Sequence, residues 1–180
     1  MKKIIKYEIF ESAAKLITLY HGGNLDYFDY TIKPTTTKRA EFGPGLYLTS
    51  KEEVARSYAK GSRKLYEVTL ESGTELKEIN ISKDEVYDFF DTIYATSALK
   101  RIMSNFERVF DKYGDTITGD TMDAVIFNNN LVKPRNSVEL IEFYVKKGAD
   151  YIVDSNTFGW GEKTYVVLNL RKIKDIKKIK

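Results

Sequence analysis

"LYHGG" (19–23) and "FGPGLYLTSKEEVARSYA" (42–59) decide how this chain is read. In the first, the only histidine, His21, ends an apolar run, "LITLYHGG" (16–23), that reads as a buried strand closing on a glycine turn. Gly22 and Gly23 leave backbone that a ligand can approach without a side chain intervening. In the second, "LYLT" (46–49) is a short strand that follows a glycine-flanked loop. Thr49 and Ser50 are both good N-caps, each with a glutamate three residues on. The spacing therefore predicts a helix that begins there and runs to about Gly61. One tyrosine, Tyr47, precedes this strand-to-helix turn and another, Tyr58, follows it.

Working outward, "TIKPTTTKRAEFGPG" (31–45) is a polar loop and "KLYEVTL" (64–70) alternates as a half-buried strand does. The middle reads as helical. "SKDEVYDFFDTIYATSALKRIMSNFERVFDKYG" opens on a Ser82 cap with Glu85 behind it and repeats apolar residues at three and four spacings until Gly114. "NSVELIEFYVKKG" is a second capped helix, Asn136 to Gly148. "DAVIF" (123–127), "DYIVD" (150–154) and "TYVVLNL" (164–170) are strand-like and rich in β-branched residues. Strands at both ends with helices between them predict an α+β fold that brings early and late strands together, in one domain spanning 1–180 with a helical insertion at roughly 80–148.

Composition bounds the chemistry. The chain has 180 residues, 42% of them hydrophobic, with no apolar run near the ~20 needed to span a bilayer. The start "MKKIIKYEIFESAAK" contains acids and lacks a long apolar stretch, so it does not read as a secretory signal, and the protein is expected in the cytoplasm with no membrane partner. Zero cysteines exclude disulfides and thiolate metal sites, and a single histidine argues against a zinc site, so no metal is expected. The net charge of +3 owes much to the tail "LRKIKDIKKIK", which reads as a solvated face or edge, with nucleic-acid binding as the alternative. Thirteen tyrosines and ten phenylalanines fit either a stacking site or an aromatic core. Among the acids, Glu139 and Glu142 share one helix face and read as solvated. Asp120 and Asp123 lack the repeated oxygen ligands of a calcium loop. Gly43 and Gly45 lack the third glycine of a dinucleotide fingerprint and precede a strand.

"YHG" followed by "FGPGLYLTSKEEVARSYA" resembles the catalytic domain of the ADP-ribosyltransferases of the poly(ADP-ribose) polymerase and diphtheria-toxin type, the histidine-tyrosine-glutamate class. The matching elements are His21-Gly22, then Gly43-Pro44-Gly45-Leu46-Tyr47, then Tyr58 at the spacing of the family's second stacking tyrosine. The resemblance implies an α+β fold of split antiparallel β-sheets with flanking and inserted helices. It implies NAD as substrate, with His21 on a hydroxyl of the adenosine ribose, the Gly22 backbone on the nicotinamide carboxamide, and Tyr47 and Tyr58 on either side of the nicotinamide ring. The serine that the family often places three residues before the second tyrosine is Ala55 here, with Ser57 close by.

The family's third element is a glutamate just before a tyrosine-x-valine run on a late strand. In "GEKTYVVLNL" the strict register falls on Thr164, which is not an acid, and Glu162 lies two residues earlier. Side chains on a strand repeat with period two, so Glu162 would share a face with Thr164, and a bulge or a shifted strand start would bring its carboxylate into place. Glu162 is thus the expected catalytic acid, with a diverged site marked by Thr164 as the alternative and a solvated loop residue after "GWG" as the plain reading. Trp160 is either an anchor for that loop or a wall of the acceptor site.

The functional expectation is a mono-ADP-ribosyltransferase with a macromolecular acceptor, protein or nucleic acid, resembling toxins and effectors that an antitoxin or inhibitor protein would hold in check. The rivals are a non-catalytic NAD-binding module and a nucleic-acid-binding or ribonuclease-like toxin.

Overall fold

Strand β1 (Leu16–Gly22) begins at an exposed leucine and ends at the glycine turn, with Leu19 fully buried at its centre. In the computed structural model, which describes residues 15–32, 45–155 and 161–180, β1 pairs along its whole length with β3 (Leu65–Glu71), from Leu16↔Glu71 to Gly22↔Leu65. Strand β8 (Ile173–Lys178) adds outside β3 with a register shift between Thr69 and Leu70. On its other side β1 meets β2 (Leu46–Thr49), which pairs with β7 (Thr164–Val167), which pairs with β6 (Tyr151–Asp154). The order is β6-β7-β2-β1-β3-β8, and every pairing is antiparallel.

The two three-stranded halves join through the single pair Tyr20↔Thr49. No further β1–β2 pair forms among the described residues, so the join between the halves is weakest next to His21 and Gly22.

Period-two alternation assigns the faces. Leu19, Leu46, Leu48, Val68, Leu70 and Val167 pack together on one side. On the other, Val166 and Leu168 meet the helical layer. That layer contains α2 (Lys83–Ile93), α3 (Thr96–Tyr113), α4 (Gly119–Asn128) and α5 (Ser137–Lys146), with a two-stranded pair of β4 (Asn80–Ser82) and β5 (Thr116–Thr118). Phe90, Phe106 and Tyr144 are fully buried in it, each stabilising the fold by about 1.5–3 kcal/mol through the area it removes from water. Part of the aromatic richness is core: Phe89, Phe90, Phe106 and Phe110 form a chain of ring contacts, while Tyr27, Tyr30, Tyr58, Tyr87, Tyr113 and Phe127 are exposed.

The expected Ser82 cap is present as a reciprocal box: its hydroxyl accepts from the Glu85 N–H while the Glu85 carboxylate accepts from the Ser82 N–H. The helix it starts is not continuous to Gly114. Tyr94 and Ala95 are extended, and the Tyr94 hydroxyl donates to the Leu131 carbonyl at 2.7 Å, so a tertiary contact breaks the helix in two. Gly114 does end the second piece, at φ 82.

"DAVIF" is helical rather than a strand, because α4 buries Met122 and Ile126, four residues apart, and its first residue, Gly119, sits so close to Leu76 that a Cβ would lie 2.5 Å from its Cδ1. Helix α5 starts at Ser137, and Asn136 makes no side-chain cap bond. Glu139 and Glu142 are exposed as expected. The lysine tail is an edge strand, β8, whose charged side chains discourage further pairing. No helix among the described residues is long and apolar enough to cross a membrane.

Candidate functional site

The end of β2 departs from the sequence reading. Helix α1 spans Glu52–Tyr58, and the residue before it, Lys51, makes no side-chain cap bond. Thr49 is the last residue of β2, and its hydroxyl donates to Oε1 of Glu162 at 2.6 Å. The Ser50 hydroxyl accepts from the Lys163 N–H at 2.9 Å, and the Ser50 N–H donates to the Lys163 carbonyl at the same distance. Both side chains thus tie β2 to the residues that lead into β7, and the Thr49 hydroxyl also accepts from the Lys51 N–H at 3.2 Å, a local turn bond rather than a helix cap.

Glu162 is only 4% exposed, so the solvated-loop reading does not hold. Its second oxygen, Oε2, is buried with no hydrogen-bond partner among the described residues. A buried carboxylate oxygen left unpaired costs a few kcal/mol, so a donor that reached it would be held. The β2–β7 register runs without interruption from Leu46↔Val167 to Thr49↔Thr164, so no bulge places Glu162. It lies two residues before β7 begins and reaches the Thr49 face from there, behind a turn at Gly161 with φ 67.

Thr164 stands directly between Thr49 and Asp154. With Tyr20↔Thr49 added, Tyr20, Thr49, Thr164 and Asp154 form one row across four strands on one face of the sheet. Tyr47 belongs to the same face, two residues along β2, opposite Val166. It is half-buried and packs against the helical core.

His21 lies where the halves part. Its Nδ1 is 2.8 Å from the carbonyl oxygen of Tyr47. A carbonyl only accepts, so Nδ1 carries the proton and the neutral ring presents the Nε2 lone pair. Burial pushes the imidazole pKa below its usual value, outweighing the carbonyl bond that pulls it up. Adding a Cβ at Gly23 would place it 2.5 Å from Nε2, so the second glycine keeps that nitrogen accessible. The ring borders an open cavity of about 380 Å³, lined also by Asn24, Asp26, Tyr27, Phe28 and Leu46.

Gly22 is required by packing. A Cβ there would meet the Ala55 carbonyl oxygen at 1.8 Å and the Ala59 nitrogen at 2.8 Å, so α1 rests directly on the β1 backbone. Ala55 is buried in that contact, while the Ser57 hydroxyl returns to the Val54 carbonyl at 2.7 Å. Tyr58 ends α1 and is 60% exposed.

The fold therefore brings His21 to the Tyr47 backbone, α1 to Gly22, and Glu162 to Thr49. By strand alternation the Tyr47, Thr49 and Thr164 side chains leave on one face and His21 on the other, so a ligand touching both would cross the opening between the halves. Gly43, Pro44 and Trp160 lie outside the described residues. Among the described residues no group of three or more His, Asp or Glu side chains is placed to hold a metal ion.

Sequence reasoning did not anticipate the Thr49 contact with Glu162, nor the row that Tyr20 and Asp154 form with Thr49 and Thr164. The alternation of Tyr47 with Thr49 in "LYLT" was the available signal for Thr49, and its match to a capping box masked it. Comparison with family models, curated proteins and solved structures finds no match to this chain.

Proposed function

We propose that this chain is a mono-ADP-ribosyltransferase that transfers ADP-ribose from NAD to a macromolecular acceptor and releases nicotinamide. The observation that carries the reading is the buried Glu162 carboxylate, one oxygen held by Thr49 and the other without a partner among the described residues, on the sheet face that Tyr47 shares, with His21 on the adjoining strand. The two-half sheet, joined at one residue pair, agrees with the split arrangement implied by the resemblance.

In this reading the Nε2 lone pair of neutral His21 accepts a hydrogen bond from a hydroxyl of the adenosine ribose. The backbone at Gly22 holds the nicotinamide carboxamide. Tyr47 and Tyr58 hold the cationic nicotinamide ring through their π faces. The C–N bond between the ribose and nicotinamide breaks, and its electron pair leaves with nicotinamide, which becomes neutral. The positive charge left on the ribose faces Glu162, whose free Oε2 accepts from a ribose hydroxyl and stabilises the developing cation. An acceptor O–H or N–H group then bonds to the anomeric carbon, and its proton passes to Glu162 and on to solvent. Thr49 acts through Glu162 by fixing the carboxylate rotamer. Thr164, alongside Thr49, lines the same slot.

A second reading is a non-catalytic NAD-binding module, which the threonine at the strict acid register favours. Nicotinamide release from NAD by the full chain and by His21→Ala separates the two. The transferase releases nicotinamide and the variant does not, whereas the binding module binds NAD and leaves it intact.

A further inference from the structure

Helix α1 carries the site's Gly22 contact on one side and opens onto a strongly basic corner on the other. A small cavity of about 200 Å³ is lined by Arg56, Lys60, Arg63 and Lys180 together with Ala59 and Leu65. Two further cations adjoin it in the chain, Lys64 after Arg63 and Lys178 on β8. Both reach one carboxylate, Asp26, at 2.5 and 3.4 Å. Arg56 pairs with Glu52 on its own helix. Lys60, Arg63 and Lys180 are exposed and make no ion pair among the described residues. This set of six cationic side chains with its two partner carboxylates carries an excess of four positive charges, against a net +3 for the whole chain.

An aromatic ring stands at the same corner. Tyr27 follows Asp26 directly, is fully exposed at 101%, and is held in a left-handed backbone conformation, φ 61, that a bulky residue seldom adopts. Tyr27 and Asp26 also line the cavity beside His21, so the edge of the basic corner where Lys64 and Lys178 pair with Asp26 borders that cavity. Unpaired cations tracking a backbone and an exposed ring offering a π face are the two elements that hold a single strand of nucleic acid without reading its sequence. An acidic protein segment would use the cations but has no base to place on Tyr27.

We infer that the corner formed by Arg56, Lys60, Arg63, Lys64, Lys178 and Lys180, with Tyr27, binds single-stranded nucleic acid and presents it to the site as the acceptor. The acceptor role rests on the transferase reading; the binding does not. In the transfer, a base N–H or sugar O–H of the strand bonds to the ribose anomeric carbon, nicotinamide leaves with its electron pair, and the proton from that N–H or O–H is released; a terminal phosphate oxyanion bonds in the same way with no proton to lose.

The test uses the full chain, a fluorescein-labelled single-stranded RNA and a DNA of the same sequence, and NAD labelled in the adenylate. Binding is followed by polarisation between about 50 and 200 mM salt, and K60E/R63E is compared with the neutral K60Q/R63Q, both checked for unchanged melting. Wild-type protein binds with a steep salt slope. K60E/R63E loses at least about tenfold in affinity, and K60Q/R63Q lowers the slope by about 1.4, the value for two phosphate contacts on a single strand. Tyr27→Ala weakens binding at all salt concentrations. Label enters RNA or DNA, which of the two being read from nuclease sensitivity, and K60E/R63E loses this transfer while still releasing nicotinamide to water. Salt-insensitive or absent binding, or label that enters only protein, overturns the inference and leaves the transferase reading standing. Nucleic-acid binding of the predicted kind with no nicotinamide release under any condition overturns the acceptor role and the transferase reading together.

Discussion

The hydroxyl of Thr49 donates to Oε1 of Glu162 at 2.6 Å, joining the last residue of β2 to a carboxylate 113 positions further along the chain, two residues before β7. Both groups are buried, and the other carboxylate oxygen has no partner among the described residues. One side chain holds one oxygen of the acid, and in the proposed reading the other oxygen meets the substrate.

That division of labour separates two variants. Glu162→Gln keeps an acceptor for Thr49 but removes the charge, and nicotinamide release falls by roughly 10²–10³-fold with folding retained. Thr49→Val keeps the charge and loses the positioning bond, so kcat falls by a smaller factor while KM for NAD changes little. It also leaves Oε1 unpaired and lowers stability by about 1–3 kcal/mol. Thr164→Ala changes release little. Steady-state kinetics and thermal melting of the three variants check the order.

His21 acts as a neutral ring. Its pKa lies below the usual value of about 6.5, chiefly through burial, so protonation occurs only at lower pH in the folded protein than in the unfolded chain. The stability linked to this residue is present above about pH 6.5 and is lost as the pH falls toward the folded pKa. kcat/KM for NAD is therefore level from about pH 8 to below 6.5 and drops only as the pH falls through the lowered pKa, because His21 then presents two donors and no acceptor. A pH–rate profile with melting temperatures across the same range measures both.

Asp123 has the opposite sign. Burial, the largest cause, raises its pKa to about 6, against a bond from the Tyr144 hydroxyl at 3.2 Å that favours the charged form. Its contribution is complete below the unfolded pKa near 3.8 and is lost as the pH rises through about 6. Asp123→Asn is accordingly more stable than wild type at pH 7.5, by on the order of 2 kcal/mol, and equal to it near pH 4. Its activity is unchanged, since α4 lies outside the site. Chemical denaturation at the two pH values reads the difference.

Gly22→Ala places a methyl 1.8 Å from the Ala55 carbonyl oxygen, a backbone atom that moves only with α1. The variant loses about 1–3 kcal/mol of stability from overpacking and loses NAD binding, because α1 lifts from the opening. Gly61→Ala, where a Cβ meets nothing within 4 Å, has neither effect. Melting curves and calorimetry with NAD distinguish the pair.

Most strands were legible because their signals are local. "LITLYHGG", "LYLT" and "KLYEVTL" carry alternation or apolar runs bounded by turn residues, and each is a strand where expected. "DAVIF" misled because its β-branched residues favour a strand, while the burial of Met122 and Ile126 and the tight seat of Gly119 on Leu76 decide for a helix. The break at Tyr94 depends on a carbonyl 37 residues away, which no local window contains. At the site, His21, Gly22, Tyr47 and Glu162 were visible as residues. The use of Thr49 was not, because a threonine three before a glutamate satisfies the helix-start pattern whether or not the helix begins there, and only pairing with the segment before β7 reveals the difference.

The most direct test is the initial rate of nicotinamide release from NAD by wild-type protein and Glu162→Gln at pH 7.5, with bound NAD measured by calorimetry on both. The account predicts that both bind NAD and that only the wild type releases nicotinamide at an appreciable rate. Equal release by the two proteins would contradict the assignment of Glu162, and NAD binding with no release by either would contradict the transferase itself.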